Sequence, residues 1–238
     1  MKPAFYTGAA GLIAQQERLN VIGNNIANVN TYGYKAQTTS FQSLLNSEMY
    51  VNTDNLAFTG HGIRIIDTGI QTGVAALIQT GGATDFAIGG NGWFAVESGG
   101  QTQYTREGTF SLSEDGSKSY LVTSDGSFVL DTEGRKIAVE KESNQFALAE
   151  KIGVFNFSNS GALQPITNNR FLPTALSGTA GTAKEGEYRV LPGCLEQSGV
   201  SLTDEMANMI MAQRAYQLSA RVVQAADEIE QTVNSLRK

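Results

Sequence analysis

The sequence has little cysteine, histidine or charge, and each scarcity removes a class of function. Cys194 is the only cysteine and His61 the only histidine in 238 residues, so one chain can form neither an internal disulfide nor a two-histidine metal site. Lys and Arg number 17 against 23 Asp and Glu, a formal net charge of −6, which argues against nucleic acid as a partner. Only 17% of the residues are charged, below the roughly 25% of an average soluble chain, and this favours self-association.

Long hydrophobic runs are also missing. No window approaches the roughly 20 apolar residues that a membrane span needs, so we expect no membrane insertion. Residues 1–18 lack a basic stretch followed by an apolar core, so we expect no secretory signal peptide. If the protein leaves the cytoplasm, it uses a route that does not read such a signal.

The C-terminal end lacks residues that break helices. No Gly follows Gly199 and no Pro follows Pro192, which predicts one unbroken helix over residues 202–237, about 54 Å long. Ser201 or Thr203 can cap its first turn. Apolar residues recur along it at steps of three, four and seven, which is typical of a coiled coil or helix bundle. They are Met209, Tyr216, Leu218, Val222, Val223, Ala225, Ile229, Val233 and Leu236.

The N-terminal segment shows a similar pattern. Four apolar residues lie at steps of seven and alternate with Ala9, Gln16 and Gly23, which predicts a helix with one apolar seam that ends near Asn28. A helix of this length is marginal alone in water, so we expect it to pack on the C-terminal helix of the same chain or of a neighbour. The four seam residues are Phe5, Leu12, Leu19 and Ile26.

Between the two helices the pattern changes to short strands. Most of the 26 Gly lie between residues 60 and 134, and turn sequences such as Asp115-Gly116 and Asp125-Gly126 separate β-rich runs. The middle of the chain is therefore predicted to be an all-β domain of hairpins. The predicted strands are 85–88, 93–96, 102–105, 109–112, 120–123, 128–130 and 151–157.

No constellation of catalytic residues stands out. Gly90-x-Gly92-x-x-Ala95 fits the dinucleotide-binding fingerprint, but the residues after it predict a strand where that motif needs a helix. Two carboxylates would suffice for a glycosidase, yet most of those in the β region lie beside turns. We therefore expect no catalytic, metal or cofactor site. The carboxylates considered are Asp85, Glu97, Glu107, Asp115, Asp125 and Asp131.

Residues 24–35 read Asn-Asn-Ile-Ala-Asn-Val-Asn-Thr-Tyr-Gly-Tyr-Lys. This motif resembles the N-terminal signature of the bacterial flagellar rod and hook proteins, in which an amphipathic helix ends in a similar turn. The physical account agrees, because Asn and Thr end helices and Gly33 permits a positive φ where the chain leaves the helix. The signature residues are Asn24, Asn25, Ala27, Asn28, Thr31, Gly33, Tyr34 and Lys35.

The resemblance continues in the family's order over nearly the whole chain. One departure is Gly199, where the family usually has Asn. Within the family, residues 59–81 are similar to those of distal rod proteins, and proximal rod proteins are the alternative. The other matching segments are 86–94, 104–110, 157–163, 195–198 and 205–216, the last with the signature residues Gln213, Arg214, Ala215 and Tyr216.

The resemblance implies an α+β fold whose long terminal helices pair as a coiled coil, with an all-β domain inserted between them. The implied domains are an N-terminal inner-layer helix (1–35), an extended connecting segment (36–80), a β-rich outer domain (81–197) and a C-terminal inner-layer helix (198–238). It also implies helix-interface residues that become buried only on assembly. These are Phe5, Leu12, Leu19, Ile26, Met209, Ile210, Tyr216, Val223, Ile229 and Val233.

The resemblance further implies a function without cofactors or catalysis. Family members pass through the flagellar type III export apparatus and polymerise helically into the rod, the drive shaft and export channel of the basal body. The implied partners are further copies, neighbouring rod and hook proteins, the export apparatus and basal-body ring proteins, with no nucleic acid and no membrane insertion. The alternatives are a proximal rod or hook-type axial protein, a secreted β-domain binding module and a cell-wall glycosidase.

Overall fold

The computed structural model describes residues 2–50, 56–115, 118–139, 144–184, 186 and 188–236. Long helices and many short strands in these ranges confirm the predicted α+β class. The helices are α1 (Lys2–Ala27), α2 (Gln145–Lys151) and α3 (Leu202–Leu236). The strands are β1 (Gln37–Ser43), β2 (Asn46–Tyr50), β3 (Leu56–Gly60), β4 (Ile63–Ile70), β5 (Leu77–Gln79), β6 (Phe86–Gly90), β7 (Trp93–Ser98), β8 (Gln101–Thr105), β9 (Phe110–Asp115), β10 (Lys118–Thr123), β11 (Phe128–Val129), β12 (Ala138–Val139), β13 (Val154–Asn156), β14 (Gln164–Ile166), β15 (Arg170–Leu172), β16 (Gly181–Thr182), β17 (Tyr188–Pro192) and β18 (Cys194–Glu196).

The chain folds as two compact units, and each takes in separate stretches of sequence. The helical unit is drawn from Met1–Ala27, Gln37–Gly69 and Ser201–Lys238. The β unit is drawn from Asn28–Ala36 and Ile70–Val200. Residues 28–36 (the strap) thus belong to the β unit, although the chain on either side of them belongs to the helical unit.

In the helical unit, α1 and α3 run antiparallel and approach each other closely. A Cβ at Gly8 would meet Val223 Cγ2 at 2.8 Å. Further along, Arg18 Nη2 donates to Asn208 Oδ1 at 3.3 Å, so residue numbers rise along α1 as they fall along α3. The same unit contains the β1–β4 pair and the antiparallel β2–β3 hairpin.

The predicted start of α3 and the predicted end of α1 are confirmed, while residue 237, the predicted last residue of α3, lies outside the described residues. The Ser201 hydroxyl oxygen accepts the Asp204 N–H at 3.4 Å, and two acidic residues occupy the first turn of α3, where the helix dipole favours them. At the other end of the chain α1 stops at Ala27, and Gly33 has a φ of 67°.

One sheet of ten described strands forms the β unit, with the order β12-β10-β11-β7-β8-β15-β14 along its main path. β9 pairs with β10, and β13 pairs with β7 and β16. β7 lies inside the sheet and its first four residues are fully buried, which explains why they are all apolar. Two antiparallel pairs, β17 with β6 and β18 with β5, complete the unit.

The two faces of β7 supply two hydrophobic cores. On one face Phe94 packs edge-on against Phe110, with ring centroids 5.3 Å apart. On the other face Trp93 packs against Phe171 at 4.8 Å. These edge-to-face contacts are the preferred geometry of aromatic pairs, and they give the β unit a well-packed interior of its own.

One predicted strand is shorter than the sequence suggested. The run 151–157 forms a strand only at Val154–Asn156, because Lys151 ends α2. Six of the seven residues of α2 are Gln, Ala, Leu, Glu or Lys, which favour helix, and this local preference outweighs the β-rich residues that follow. The other predicted strands correspond to β6 through β11 and are confirmed.

Gly108 offers a test of the packing of the β unit. A Cβ there would overlap the carbonyl oxygen of Phe86, whose N–H donates to Gly108 O at 3.0 Å. We expect Gly108→Ala to lower the free energy of unfolding by at least about 3 kcal/mol in urea titrations. In the control Gly181→Ala, where a Cβ would have 4.0 Å of clearance, the change should stay below about 1 kcal/mol. Equal losses in both variants would contradict this account.

Candidate functional site

Three charged side chains meet in the interior of the β unit. Glu196 Oε1 accepts a hydrogen bond from Lys35 Nζ at 2.6 Å, and Glu196 Oε2 accepts one from Arg106 Nη1 at 3.0 Å. Each of the three side chains is at most 2% exposed. Such a cluster is costly to build, because taking each ion out of water opposes folding, and it persists only where the geometry compensates.

Distant parts of the chain supply the three charges. Lys35 lies near the end of the strap, Arg106 directly follows β8, and Glu196 is the last residue of β18. In the β18–β5 ladder Glu196 lies opposite Leu77. The loop just before β5 carries the backbone groups that bond to Lys35 and Glu196. The cluster therefore ties three segments that are remote in sequence into one interior site.

Backbone groups of the loop before β5 complete the bonding of Lys35 and Glu196. Lys35 Nζ donates to Gly73 O at 2.7 Å, and the Ala75 N–H donates to Glu196 Oε1 at 3.0 Å. Burial lowers the pKa of Lys35; attraction to Glu196 opposes that shift, and repulsion from Arg106 adds to it.

Arg106 is anchored inside the β unit by contacts of its own. Nη1 donates to Ile88 O at 3.2 Å and Nη2 to Gly90 O at 2.7 Å, while the guanidinium carbon lies 5.7 Å from the ring centroid of Trp93. Its Nε has no hydrogen-bond partner within the part of the chain that the structure describes. Burial lowers the pKa of Arg106, and Glu196 opposes the shift. Two cations against one carboxylate leave one positive charge in excess.

The strap meets the cluster through a glycine. The Gly33 N–H donates to Glu196 O at 2.8 Å, and Gly199 N–H donates to Tyr34 O at 2.8 Å. A Cβ at Gly33 would lie 2.5 Å from the carbonyl carbon of Arg106, and its φ of 67° is rare for any L residue. Position 33 therefore requires glycine for two independent reasons.

A second polar clamp lies inside the helical unit. Asn25 is 1% exposed, and its Nδ2 donates to Gln37 O at 2.9 Å and to Glu205 Oε1 at 3.0 Å. Its Oδ1 accepts the Gln37 N–H at 2.9 Å. One amide thus joins the last turn of α1, the first residue of β1 and the first turn of α3.

The signature residues differ in how deeply they are buried in the single chain. Gly33, Tyr34, Lys35 and Asn25 are buried, and the Thr31 hydroxyl contacts the side-chain oxygen of Asn28 at 3.2 Å in the turn after α1. Ala215 is half-buried, and the exposed signature residues are Asn24, Ala27, Gln213, Arg214 and Tyr216.

Of the ten residues predicted to form the helix interface, five are half-buried in the single chain and five are exposed. The half-buried ones are Leu12, Leu19, Ile26, Met209 and Val223, and the exposed ones are Phe5, Ile210, Tyr216, Ile229 and Val233. More deeply buried are Ala14 and Ile22 in α1 and Ala212 and Ala226 in α3. Burial of the predicted set in an assembly remains a prediction.

A further ion pair in the β unit ties the first residue of β15, Arg170, to the turn that contains Asp125. Arg170 is 4% exposed; its Nη2 contacts Asp125 Oδ1 and donates to Thr123 Oγ1 at 3.1 Å, and its Nη1 donates to Ser127 Oγ at 2.9 Å. Burial alone would raise the pKa of Asp125, but hydrogen bonds, chiefly from Thr123, and the charge of Arg170 outweigh it and lower the pKa.

Sequence reasoning missed the buried cluster. Lys35, Arg106 and Glu196 all fall in motifs that resemble the family, but their spacing gives no reason to pair them. Lys35 and Glu196 are 161 residues apart, and Arg106 and Glu196 are 90 apart. The one sequence feature that could have indicated a buried charge is Glu196 itself, an acidic residue directly after the apolar Leu195.

The cluster acts as a structural tie, because the carboxylate is engaged by both cations and by a backbone N–H. Over the described ranges, no three His, Cys, Asp or Glu residues are grouped so that they could hold a metal ion. None of the helices in those ranges is long and apolar enough to cross a membrane.

Comparison with known proteins places these segments in one family. Residues 5–35 match the model described as Flagella basal body rod protein, and residues 87–161 match Flagellar hook protein FlgE/F/G D1 domain. Residues 191–236 match Flagellar basal body rod FlgEFG protein C-terminal. Each matched segment contains one of the three buried charges. The chain belongs to the flagellar basal-body rod protein family.

Individual proteins of this family can be aligned with at least nine-tenths of the chain. Flagellar basal-body rod protein FlgG of Bacillus subtilis is 32% identical over 100% of both chains. Flagellar basal-body rod protein FlgG of Agrobacterium fabrum is 34% identical over 97% of this chain and 98% of the relative. Flagellar basal-body rod protein FlgF of Rhizobium meliloti is 28% identical over 91% of this chain and 90% of the relative.

Neutralising the central carboxylate should destabilise the β unit strongly. Glu196→Gln would leave Lys35 and Arg106 buried without an anion, so we expect a loss of about 3–5 kcal/mol in the free energy of unfolding, followed by Trp93 fluorescence. The control is Glu133→Gln, which removes a 2.7 Å pair with Arg135 that is about two-thirds exposed, and it should leave the free energy of unfolding almost unchanged. Similar losses would show that the buried cluster adds no special stability.

The lowered pKa of Asp125 predicts how stability depends on pH. A carboxyl whose folded pKa lies below its ordinary value of 3.8 stabilises the fold above that value and loses the contribution as pH falls through the folded pKa. We expect the stability difference between wild type and Asp125→Asn to be largest above about pH 5 and to shrink toward pH 2, measured by thermal unfolding. A difference independent of pH would contradict this assignment.

Proposed function

We propose that the protein is a structural, non-enzymatic subunit of the flagellar rod, of the distal type, that polymerises helically into the drive shaft and export channel of the basal body. The observation that carries the proposal is the apolar surface that the long helices leave exposed in the single chain. Family membership supports it, because the full-length relatives are named as basal-body rod proteins.

The exposed surface is most extensive on α3. Of the side chains described in this 35-residue helix, only Ala212 and Ala226 are buried. A large contiguous apolar surface on a water-soluble chain marks a site of protein association. Its exposed large apolar residues are Leu202, Met206, Ile210, Met211, Tyr216, Leu218, Val222, Ile229, Val233 and Leu236.

The other long helix adds to this surface. Ile13 of α1 is 63% exposed and Phe5 is 42% exposed, although both are large and apolar. In the proposed rod the terminal helices pair as a coiled coil in an inner layer, residues 36–80 connect the layers, and the β-rich domain forms the outer layer. Contacts between different faces of identical subunits propagate an open helical filament when they do not close into a ring, and the proposed rod uses contacts of this kind.

The proposed partners follow from this assembly. They are further copies of the chain, neighbouring rod and hook proteins, the flagellar type III export apparatus and basal-body ring proteins. A proximal rod or hook-type subunit is the second candidate, and the FlgF relative at 28% identity is the observation in its favour. A distal rod subunit and a proximal rod or hook-type subunit would both assemble through this helix surface, so one experiment tests that assembly for both.

A charge on the predicted seam should block assembly. We expect the wild type to form filaments on concentration, seen by sedimentation and electron microscopy, and Leu19→Asp to stay monomeric with unchanged Trp93 fluorescence. The reason is that assembly would have to bury an unpaired carboxylate. The control Asn20→Asp puts the same charge on an exposed position one residue away, and it should polymerise. A wild type that stays monomeric, or filaments from Leu19→Asp, would sink the proposal.

A further inference from the structure

The cluster is asymmetric in a way that separates the strap from the rest of the β unit. Without Lys35, Glu196 and Arg106 still form a neutral pair at 3.0 Å. The Ala75 N–H still serves Glu196, and the Ile88 and Gly90 carbonyls still serve Arg106. Either cation alone would neutralise Glu196, but Arg106 is bonded to core carbonyls whereas Lys35 lies on the strap. Lys35 is therefore the cation that can leave and take the excess positive charge with it.

We propose that the strap is a releasable closure, latched onto the β unit by Lys35 and able to leave while the Glu196–Arg106 pair and the sheet stay intact. The inference goes beyond the proposed function, since it concerns the free subunit whether or not that subunit polymerises. It predicts two states of the chain, strap docked and strap released, in exchange with each other.

Three effects limit how much the docking of the strap stabilises the β unit. Docking gains the attraction of Lys35 to Glu196, but it removes the ammonium from water and sets it near Arg106. The strap's contribution to the hydrophobic interior is modest, because Tyr34 and Ala36 are its buried apolar side chains. On release Lys35 regains its hydration, which offsets part of the lost attraction to Glu196.

Backbone bonds extend the effect of the latch to other segments. The strap is bonded to residues just before α3 through Gly33 and Tyr34, and Ala36 O accepts the Gln71 N–H at 2.8 Å. The strap follows directly on α1, and the segment it pairs with leads into α3. Release of the latch therefore separates the strap from residues 196–199 and from Gln71 in a single event, while Asn25 still joins the last turn of α1 to the first turn of α3.

Native-state hydrogen exchange on the dilute full-length protein, read by mass spectrometry, tests the proposal. The strap amides for this test are those whose hydrogen bonds dock the strap, the N–H groups of Gly33, Gln71 and Gly199. In the wild type we expect them to exchange at least about tenfold faster, relative to their unfolded rates, than the amides of residues 93–96. Small additions of urea should accelerate the strap amides less than the core amides, because a local opening exposes little surface. Equal protection and equal urea dependence would mean that the strap opens only with the whole unit, and would overturn the proposal.

Variants separate a latch from a general stabilising contact. Lys35→Ala and Gly33→Ala act on the strap through different physics, one by removing the charge and the other by a clash with the Arg106 carbonyl. Both should speed strap exchange at least about tenfold and change exchange in residues 93–96 by less than about threefold. The matched variant Arg106→Met removes the cation that belongs to the core, so it should speed both regions together. Loss of protection in both regions from Lys35→Ala and Gly33→Ala would show that the strap is integral to the fold.

Discussion

The free-energy cost of removing the Glu196 carboxylate from water determines which distant segments of this chain contact one another. Glu196 is fully buried, and Arg106, Lys35 and a backbone N–H converge on it and compensate for its loss of hydration. Those partners come from the strap, from the end of β8 and from the loop before β5, so the carboxylate determines which distant segments must meet. The three segments that match family models each supply one member, which makes the cluster the point where they depend on one another.

The two units meet the hydrophobic requirement in different ways. The β unit buries apolar side chains on both faces of β7 within one chain. The helical unit pairs α1 with α3 through small residues and leaves most of its large apolar side chains in water. The helices approach closely at Gly8, but their exposed apolar side chains contribute little hydrophobic free energy to the fold of the single chain.

Much of this architecture could be predicted from the sequence because it is local. The ends of α1 and α3 follow from periodic apolar residues, from Ser201 as a cap and from Gly33 as an exit. The strands of the sheet follow from β-rich runs between glycine turns. The helix α2 was not foreseen, because seven residues are too few to show a period. The buried cluster was not foreseen either, because nothing local distinguishes Glu196 from a solvated surface acid until the segments 90 and 161 residues away are placed beside it.

The backbone bonds between Tyr34 and Gly199 and between Ala36 and Gln71 have a consequence for the modularity of the chain. They bring the places where the chain enters and leaves the β unit side by side, which is the arrangement of an inserted domain. A domain attached in this way behaves as a cassette, since its far side can grow, shrink or be exchanged without moving its points of attachment. One helical unit can therefore carry β units of different size, provided that each β unit keeps the glycine at position 33 and the buried carboxylate of Glu196.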